Sequence, residues 1–363
     1  MDKNRAFDYR IFDSLIEKNI RFAIFRLARQ KEIKFVLQTS SDILQTGNLP
    51  GLNNKKGFVI SPFNITCDTP LSLIYPDVSL TGEAEIFDYI GNEKFDFQGE
   101  QTEISSQSSL QTFEQYENAF EKFHNELTNN KLQKIVLSRT YDVERTDRFS
   151  AGLSFKNAVE QHAESFVFLC NTPETGTWFG ISPELLVAEK DEIYKTVALA
   201  GTKKVDSGDW DNKNCQEQQI VVDYMQQRIE KIGGCILKEG PLTARAGKIE
   251  HLKTKFSFRL KDGYSIGDLL ELLHPSPAVC GFPKQEAFDF LLKNEPYDRR
   301  YYSGFVGPLN MDGISRLYVN LRCMQIGKDI LRLYAGGGML PSSELDNEWE
   351  ETENKLQTIL SVI

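Results

Sequence analysis

The chain has 363 residues, with 52 acidic against 42 basic side chains and a formal net charge of −10. It is long enough to bury a large core or to form two domains, its 40% hydrophobic and 11% aromatic content is that of a globular protein, and its negative charge argues against nucleic acid as the main partner. No apolar run approaches membrane-spanning length, the first residues are charged rather than leader-like, and six scattered cysteines without CxxC or HxxxH spacing point to reduced thiols in a cytoplasmic protein that does not act at a membrane.

Residues 1 to about 110 alternate strands and short helices, with strands at 22–26 and 34–38 and a turn-rich loop over 47–56. A Ser- and Gln-rich connection over 104–110 leads into a helix over 112–129. Next come a strand over 134–141, a helix over 155–163, a strand over 166–171 and a strand pair over 178–190 and 192–198. A helix over 211–232 precedes a strand over 249–261 and helices over 266–273 and 284–294. Strands over 301–309, 315–326 and 329–335 are separated by the tight turns Met311-Asp312-Gly313 and Gly327-Lys328-Asp329. The last strand runs into Gly336, Gly337 and Gly338, where bare backbone lets a small anion approach, and a charged helix begins near Glu344. Strands in runs with helices between them predict an α+β fold with large antiparallel sheets.

Some polar residues sit where packing alone would not put them. At about 100° per residue, Leu345, Trp349, Leu356, Ile359 and Ile363 share one face of the last helix, and Glu348, Glu351 and Lys355 border it. Glu217 falls within the apolar stripe of Ile220, Val221, Tyr224 and Ile232, where a carboxylate is costly unless a cation or donor meets it. A magnesium ion between Glu217 and Glu351 would account for both acids, since it prefers a few carboxylates with substrate and water. The plainer alternatives are a helix-start carboxylate at Glu217 and an exposed i,i+4 pair of Glu351 with Lys355. Lys134 opens a strand and shares a face with Val136 and Ser138; it can serve as a base only if its charge is disfavoured by burial or by neighbouring cations. Glu184 follows Pro183 and could act as an acid in a dry pocket. Tyr318, Asn320 and Arg322 share a strand face, which is either a site or an exposed sheet surface, and an arginine fork there could grip a carboxylate. His274 begins a rigid His-Pro-Ser-Pro turn.

Six segments in order resemble the chorismate-utilising enzymes: KIVLSRT at 134–140, GISPELLV at 180–187, ALAGTKK at 198–204, HPSPAVCGFP at 274–283, YYSGFVG to YVNLR at 301–322, and RLYAGGGMLPSSELDNEWEETENKL at 332–356. The resemblance covers roughly 115–363 and implies one large αβ sandwich of two antiparallel sheets with flanking helices, residues 1–110 being an N-terminal part of the same sandwich and 111–363 the catalytic region. It implies Mg2+ on Glu217 and Glu351, with Glu348 supporting through water, and chorismate as substrate. Arg322, Tyr302 and the backbone of Gly336, Gly337 and Gly338 would hold its enolpyruvyl carboxylate, Lys355 would order water and carboxylates, and Ala200, Gly201 and Thr202 would line the ring. His274 and Tyr334 join the substrate-binding set.

Members that use ammonia are similar in carrying glutamine at position 134, and members that add water carry lysine. Lys134 therefore implies a general base for water, with Glu184 as general acid, and isochorismate as product for menaquinone or siderophore synthesis. No glutaminase subunit is expected, and the chain is expected to act as a monomer. Cys-Gln-Glu-Gln-Gln stands where the family usually flanks the glutamate with histidines, Asn214 replaces an acid one turn earlier, and Ala-Gly-Gly-Gly replaces Ala-Gly-Ala-Gly. The rivals are a salicylate synthase, an ammonia-dependent lyase, which Lys134 opposes, and a ligand-binding member that has lost catalysis.

Overall fold

The computed structural model describes residues 7–44, 46–99, 104, 112–129, 131–205, 208–246 and 249–363, without the side chains of residues 202, 204, 213, 246 and 249. The first part holds α1 (Ile11–Glu17), β1 (Phe22–Arg26), β2 (Ile33–Leu37), β3 (Gly57–Ser61), β4 (Ser72–Ile74), β5 (Val78–Thr81) and α2 (Glu83–Asn92). Then follow α3 (Phe113–Thr128), β6 (Lys134–Glu144), α4 (Ala151–Gln161), β7 (Phe166–Thr172), β8 (Gly176–Ser182), β9 (Leu185–Lys190), β10 (Ile193–Lys204) and α5 (Asn212–Ile232). The remainder is β11 (Gly233–Ala246), β12 (Ile249–Leu260), α6 (Ile266–Leu273), β13 (Gly281–Phe282), α7 (Lys284–Asn294), β14 (Phe305–Leu309), β15 (Ile314–Val319), β16 (Cys323–Ile326), β17 (Ile330–Met339) and α8 (Leu345–Leu360). Among the described residues no helix is long and apolar enough to cross a membrane.

The strands form two antiparallel sheets. One has nine strands in the order β13-β6-β17-β16-β8-β7-β1-β2-β5, the other eight in the order β11-β12-β10-β9-β15-β14-β3-β4. Central strands are buried on both faces, and their period of two sorts side chains between cores. On β7, Phe166, Phe168 and Cys170 enter the core between the sheets, while Val167 and Leu169 pack beneath helices on the outer face. On the eight-stranded sheet, Phe58 and Ile60 point inward, and Val59 joins Val221, Met225 and Leu270 under α5 and α6. This is the expected sandwich, with β1, β2 and β5 in one sheet and β3 and β4 in the other.

Several elements differ from the sequence reading. The segment 178–190, read as one strand, breaks at Pro183 and Glu184 and passes from the nine-stranded sheet into the other. The segment 315–326 breaks at Asn320, Leu321 and Arg322 and passes back, with Arg322 in the left-handed region at φ 47°. Tyr318, Asn320 and Arg322 therefore do not share one strand face. The two crossings are stitched together: Ser182 Oγ donates to the Val319 carbonyl at 2.6 Å, and the Val319 amide donates to the Glu184 carbonyl at 3.0 Å. The last strand does not stop before the glycines; it runs through them to Met339, pairing Gly336 with Ser138 and Gly338 with Val136. β11 was not foreseen. On α8 the buried face centres on Glu348, Thr352, Leu356 and Ile359, and Ile363 is exposed. The connection over 104–110 lies, apart from Ile104, outside the described residues.

Asn320 is fully buried, and its Nδ2 donates to the Tyr301 carbonyl at 2.9 Å, holding the segment that carries Tyr302 against the second crossing. Asn320→Ala removes that bond, leaving the Tyr301 carbonyl with the Gly304 amide, and should lower the unfolding free energy in urea by about 0.5–1.5 kcal/mol; an unchanged midpoint would mean the amide does not tie the segments together.

Candidate active site

Both crossings open onto one cleft of about 780 Å³, counted out to solvent. Lys134, Glu184, Ala200, Gly201, Glu217, Tyr302, Arg322, Tyr334, Gly336, Gly338, Glu351 and Lys355 all line it. Lys134 and Val136 reach it from β6, because alternate residues of a strand share a face. Lys134 is 1% exposed, and its Nζ donates to Glu217 Oε1 at 2.7 Å. Glu217 Oε2 accepts from the Gly201 amide at 3.2 Å. Gly201 occupies a β-bulge between β10 and β12, at φ 71°, a region that favours glycine.

The three glycines of β17 fit a close approach from both sides. A Cβ on Gly336 would meet Tyr302 Oη at 2.8 Å, and one on Gly338 would meet Glu217 Oε1 and Lys134 Cε at 3.0 Å. Gly337 faces the other way, toward α8, where a Cβ would meet Glu348 Oε2 at 2.7 Å. Lys355 Nζ donates to the Gly336 carbonyl and to Glu351 Oε1, both at 2.6 Å, and so joins helix to strand. An aromatic stack, Trp178 on Tyr334 and Tyr334 on Tyr302, leads to the Gly336 backbone.

Electrostatics divide the acids. Burial pushes the Glu184 carboxyl up to about 7, against the opposing pull of Lys134, Lys355 and Arg322. Burial would also raise Glu351, but Lys355, Arg322 and His251 outweigh it and hold that carboxylate below its usual range. Burial lowers the Arg322 guanidinium, with Tyr302, Glu351 and Glu184 opposing. One cleft thus holds an acid that can carry a proton near neutrality, Glu184, and another, Glu351, that remains ionised beside cations.

Not every expected residue lies in the cleft. His274 Nε2 sits 3.1 Å from the Pro62 carbonyl, the His274 carbonyl accepts from Lys284, and the ring meets Phe305 edge-on. This histidine braces the turn whose Ala278 and Val279 line the cleft. Glu348 is 4% exposed and lies behind Gly337 rather than on the cleft wall. The Thr202 side chain is outside the described residues. His251 was missed. It lines the cleft from β12, its Nδ1 lies 3.1 Å from the Gly201 carbonyl, and burial pushes it down to about 4, so it is neutral. Its only signal in the sequence was a histidine beside the alternating Leu252, Thr254 and Phe256.

Among the described residues no three His, Cys, Asp or Glu side chains are already gathered for a metal. Glu217 and Glu351 each hold a lysine instead. Two carboxylates from separate helices on one cleft still form the hard-oxygen set that suits magnesium.

Fold and cleft define a class, and sequence comparison agrees with it: the chain belongs to the chorismate-binding enzymes, whose family model matches residues 54–363. Among its relatives, isochorismate synthase EntC of Escherichia coli (strain K12) is 29% identical over 244 residues, 64% of this chain and 62% of that protein. The match therefore spans less than two thirds of that relative's length. Menaquinone-specific isochorismate synthase MenF from Escherichia coli has the same fold, with a TM-score of 0.80 at 21% identity, covering 100% of this chain and 92% of that one. Anthranilate synthase component I from Streptococcus pneumoniae TIGR4 aligns with a TM-score of 0.73 at 19% identity, covering 93% and 92%.

Glu184 links stability to pH. Its folded value of about 7 lies above the ~4.3 of a free glutamate, so between those values the folded protein keeps a proton that the unfolded chain has released. The stability this gives is full below about pH 4 and is lost as pH rises through about 7. Glu184→Gln should flatten the decline of urea stability across that window; an unaltered slope would mean the carboxyl is solvated.

Proposed function

We propose that the chain is an isochorismate synthase, adding water at C2 of chorismate and expelling the C4 hydroxyl. The observation that carries this reading is the pairing of a buried lysine, Lys134, with a carboxyl poised near neutrality, Glu184, on one cleft. Lysine at position 134 fits water as the nucleophile, so no glutaminase partner is invoked, and the chain acts by itself on a small anion. Onward use of the product in menaquinone or siderophore synthesis fits this reading equally.

Each residue then has a task. Lys134 takes a proton from water, which requires its present hydrogen bond to Glu217 to be exchanged for one to that water. Glu184, protonated near neutral pH, gives its proton to the departing hydroxyl. Arg322 supplies a fork for a substrate carboxylate, and bare backbone at Gly336 and Gly338 lets the substrate approach. Tyr302 and Tyr334 wall the ring site, Ala200 and Gly201 border it, and neutral His251 offers a hydrogen bond without charge. Glu217 and Glu351 would hold Mg2+, with Glu348 behind them, and the ion would offset the charge of a substrate carboxylate. Lys355 keeps Glu351 aimed by tying it to the Gly336 carbonyl.

Incubation with chorismate and Mg2+, followed by NMR, should yield isochorismate; salicylate with pyruvate would replace this reading by a salicylate synthase, and no turnover by a ligand-binding protein. Lys134→Ala should cut kcat by about 10²–10⁴-fold while chorismate binding persists; normal turnover would remove the lysine from the chemistry. Glu217→Ala should abolish both activity and its response to Mg2+, and a variant with the original Mg2+ response would refute the ligand assignment.

A further inference from the structure

Arg139 lies on β6, directly opposite Ala335 and one residue beyond the Ser138–Gly336 pair. Lys134 and Val136 face the cleft from this strand, and Arg139, at the opposite parity, points to the other face beneath α8. Its side chain is wholly buried. Nε donates to Thr352 Oγ1 at 2.7 Å, Nη2 donates to Glu353, and the guanidinium lies 3.9 Å from the centre of the Trp349 ring. Nη1 is buried with no hydrogen-bond partner among the described residues. Thr352 Oγ1 in turn donates to the Trp349 carbonyl at 2.7 Å, and the Trp349 ring is wedged edge-on by Phe113 and Tyr116 at the start of α3.

Burying a charge here is expensive, and apolar packing would hold a helix on a sheet more cheaply. What an apolar contact does not provide is direction. A planar fork engaging residues 349, 352 and 353 at once fixes both the rotation of α8 and its position along its axis. Glu348, Glu351 and Lys355 are interleaved with those three positions, so the same constraint decides where they point.

We propose that Arg139 is a positioning residue: by clamping Trp349, Thr352 and Glu353 it sets the register of α8 and aims Glu351 and Lys355 into the cleft. This deepens the proposed function and rests on its reading of Glu351 as a metal ligand. Arg139→Lys keeps the charge but loses the fork, and Thr352→Val removes the Nε partner while keeping the side-chain volume. Ile359→Ala, farther along the same helix and 1% exposed, loosens α8 without touching the clamp.

The test is Mn2+ binding to the purified chain, read from the free Mn2+ EPR signal, alongside melting temperature. Loss of an outer-shell partner weakens metal binding by roughly 10–100-fold, so Arg139→Lys and Thr352→Val should raise the Mn2+ Kd by about tenfold. Ile359→Ala should lower the melting temperature and leave the Mn2+ Kd unchanged. Unaltered Mn2+ binding in folded Arg139→Lys or Thr352→Val would overturn the proposal, and so would equal weakening in Ile359→Ala, because the arginine would then serve only helix stability. Should Arg139→Lys not fold, Thr352→Val decides by itself. Wild-type protein that binds no Mn2+, or Glu351→Ala that binds it as well as wild type, would overturn the ligand reading instead.

Discussion

The cleft depends on how closely other groups can approach one stretch of backbone. At Gly336, Gly337 and Gly338, β17 is pressed between Tyr302, Lys134 and Glu217 on one side and the carboxylates of α8 on the other. Any side chain there would stand within about 3 Å of one of those groups, close enough that the group would have to shift. The strand nevertheless keeps its ladder to β6, so the opening is made without breaking the sheet. Lys355 then ties the helix to the Gly336 carbonyl. The absence of three side chains lets two helices on opposite faces of a sandwich, α5 and α8, contribute acids to one volume.

The second constraint is the pair of crossings between sheets. Pro183 cannot donate to a ladder, so the strand ends there and the chain changes layer. Arg322 does the same in a left-handed conformation. Because Ser182 and Glu184 are bonded to Val319, the two crossings are tied to each other, and the carboxyl and guanidinium they carry are placed by the sandwich rather than by a loop. A dry position follows, and with it the raised affinity of Glu184 for its proton.

Legibility in the sequence followed the physics of each element. Glu217 and Glu351 stood out because a carboxylate near a helical apolar stripe is costly, and both line the cleft. Lys134 carried little signal of its own and was found through its neighbours in a shared motif. The segment 178–190 read as one strand because alternation records which side chains are buried, not against which sheet. β11 escaped because its glycines, proline and charges suit an exposed edge, where strand residues need not be apolar. The face of α8 was misjudged because hydrophobic spacing ignores polar partners: Glu348 and Thr352 are buried where a glycine strand and Arg139 receive them. His251 and the bracing role of His274 are tertiary facts, set by a bulge and by Pro62.

The bulge at Gly201 also bears on how this enzyme family can vary. One extra residue in β10 opposes none in β12, so the strand changes parity at that point. Deleting that single glycine would straighten the ladder and leave both flanks in their present pairing, Ala200 with Leu252 and Thr202 with His251, but it would take away the amide that holds Glu217 and the carbonyl that meets His251. Length, more than residue type, is therefore the inheritance to be guarded here, and natural homologues should show substitutions around this site long before they show gaps.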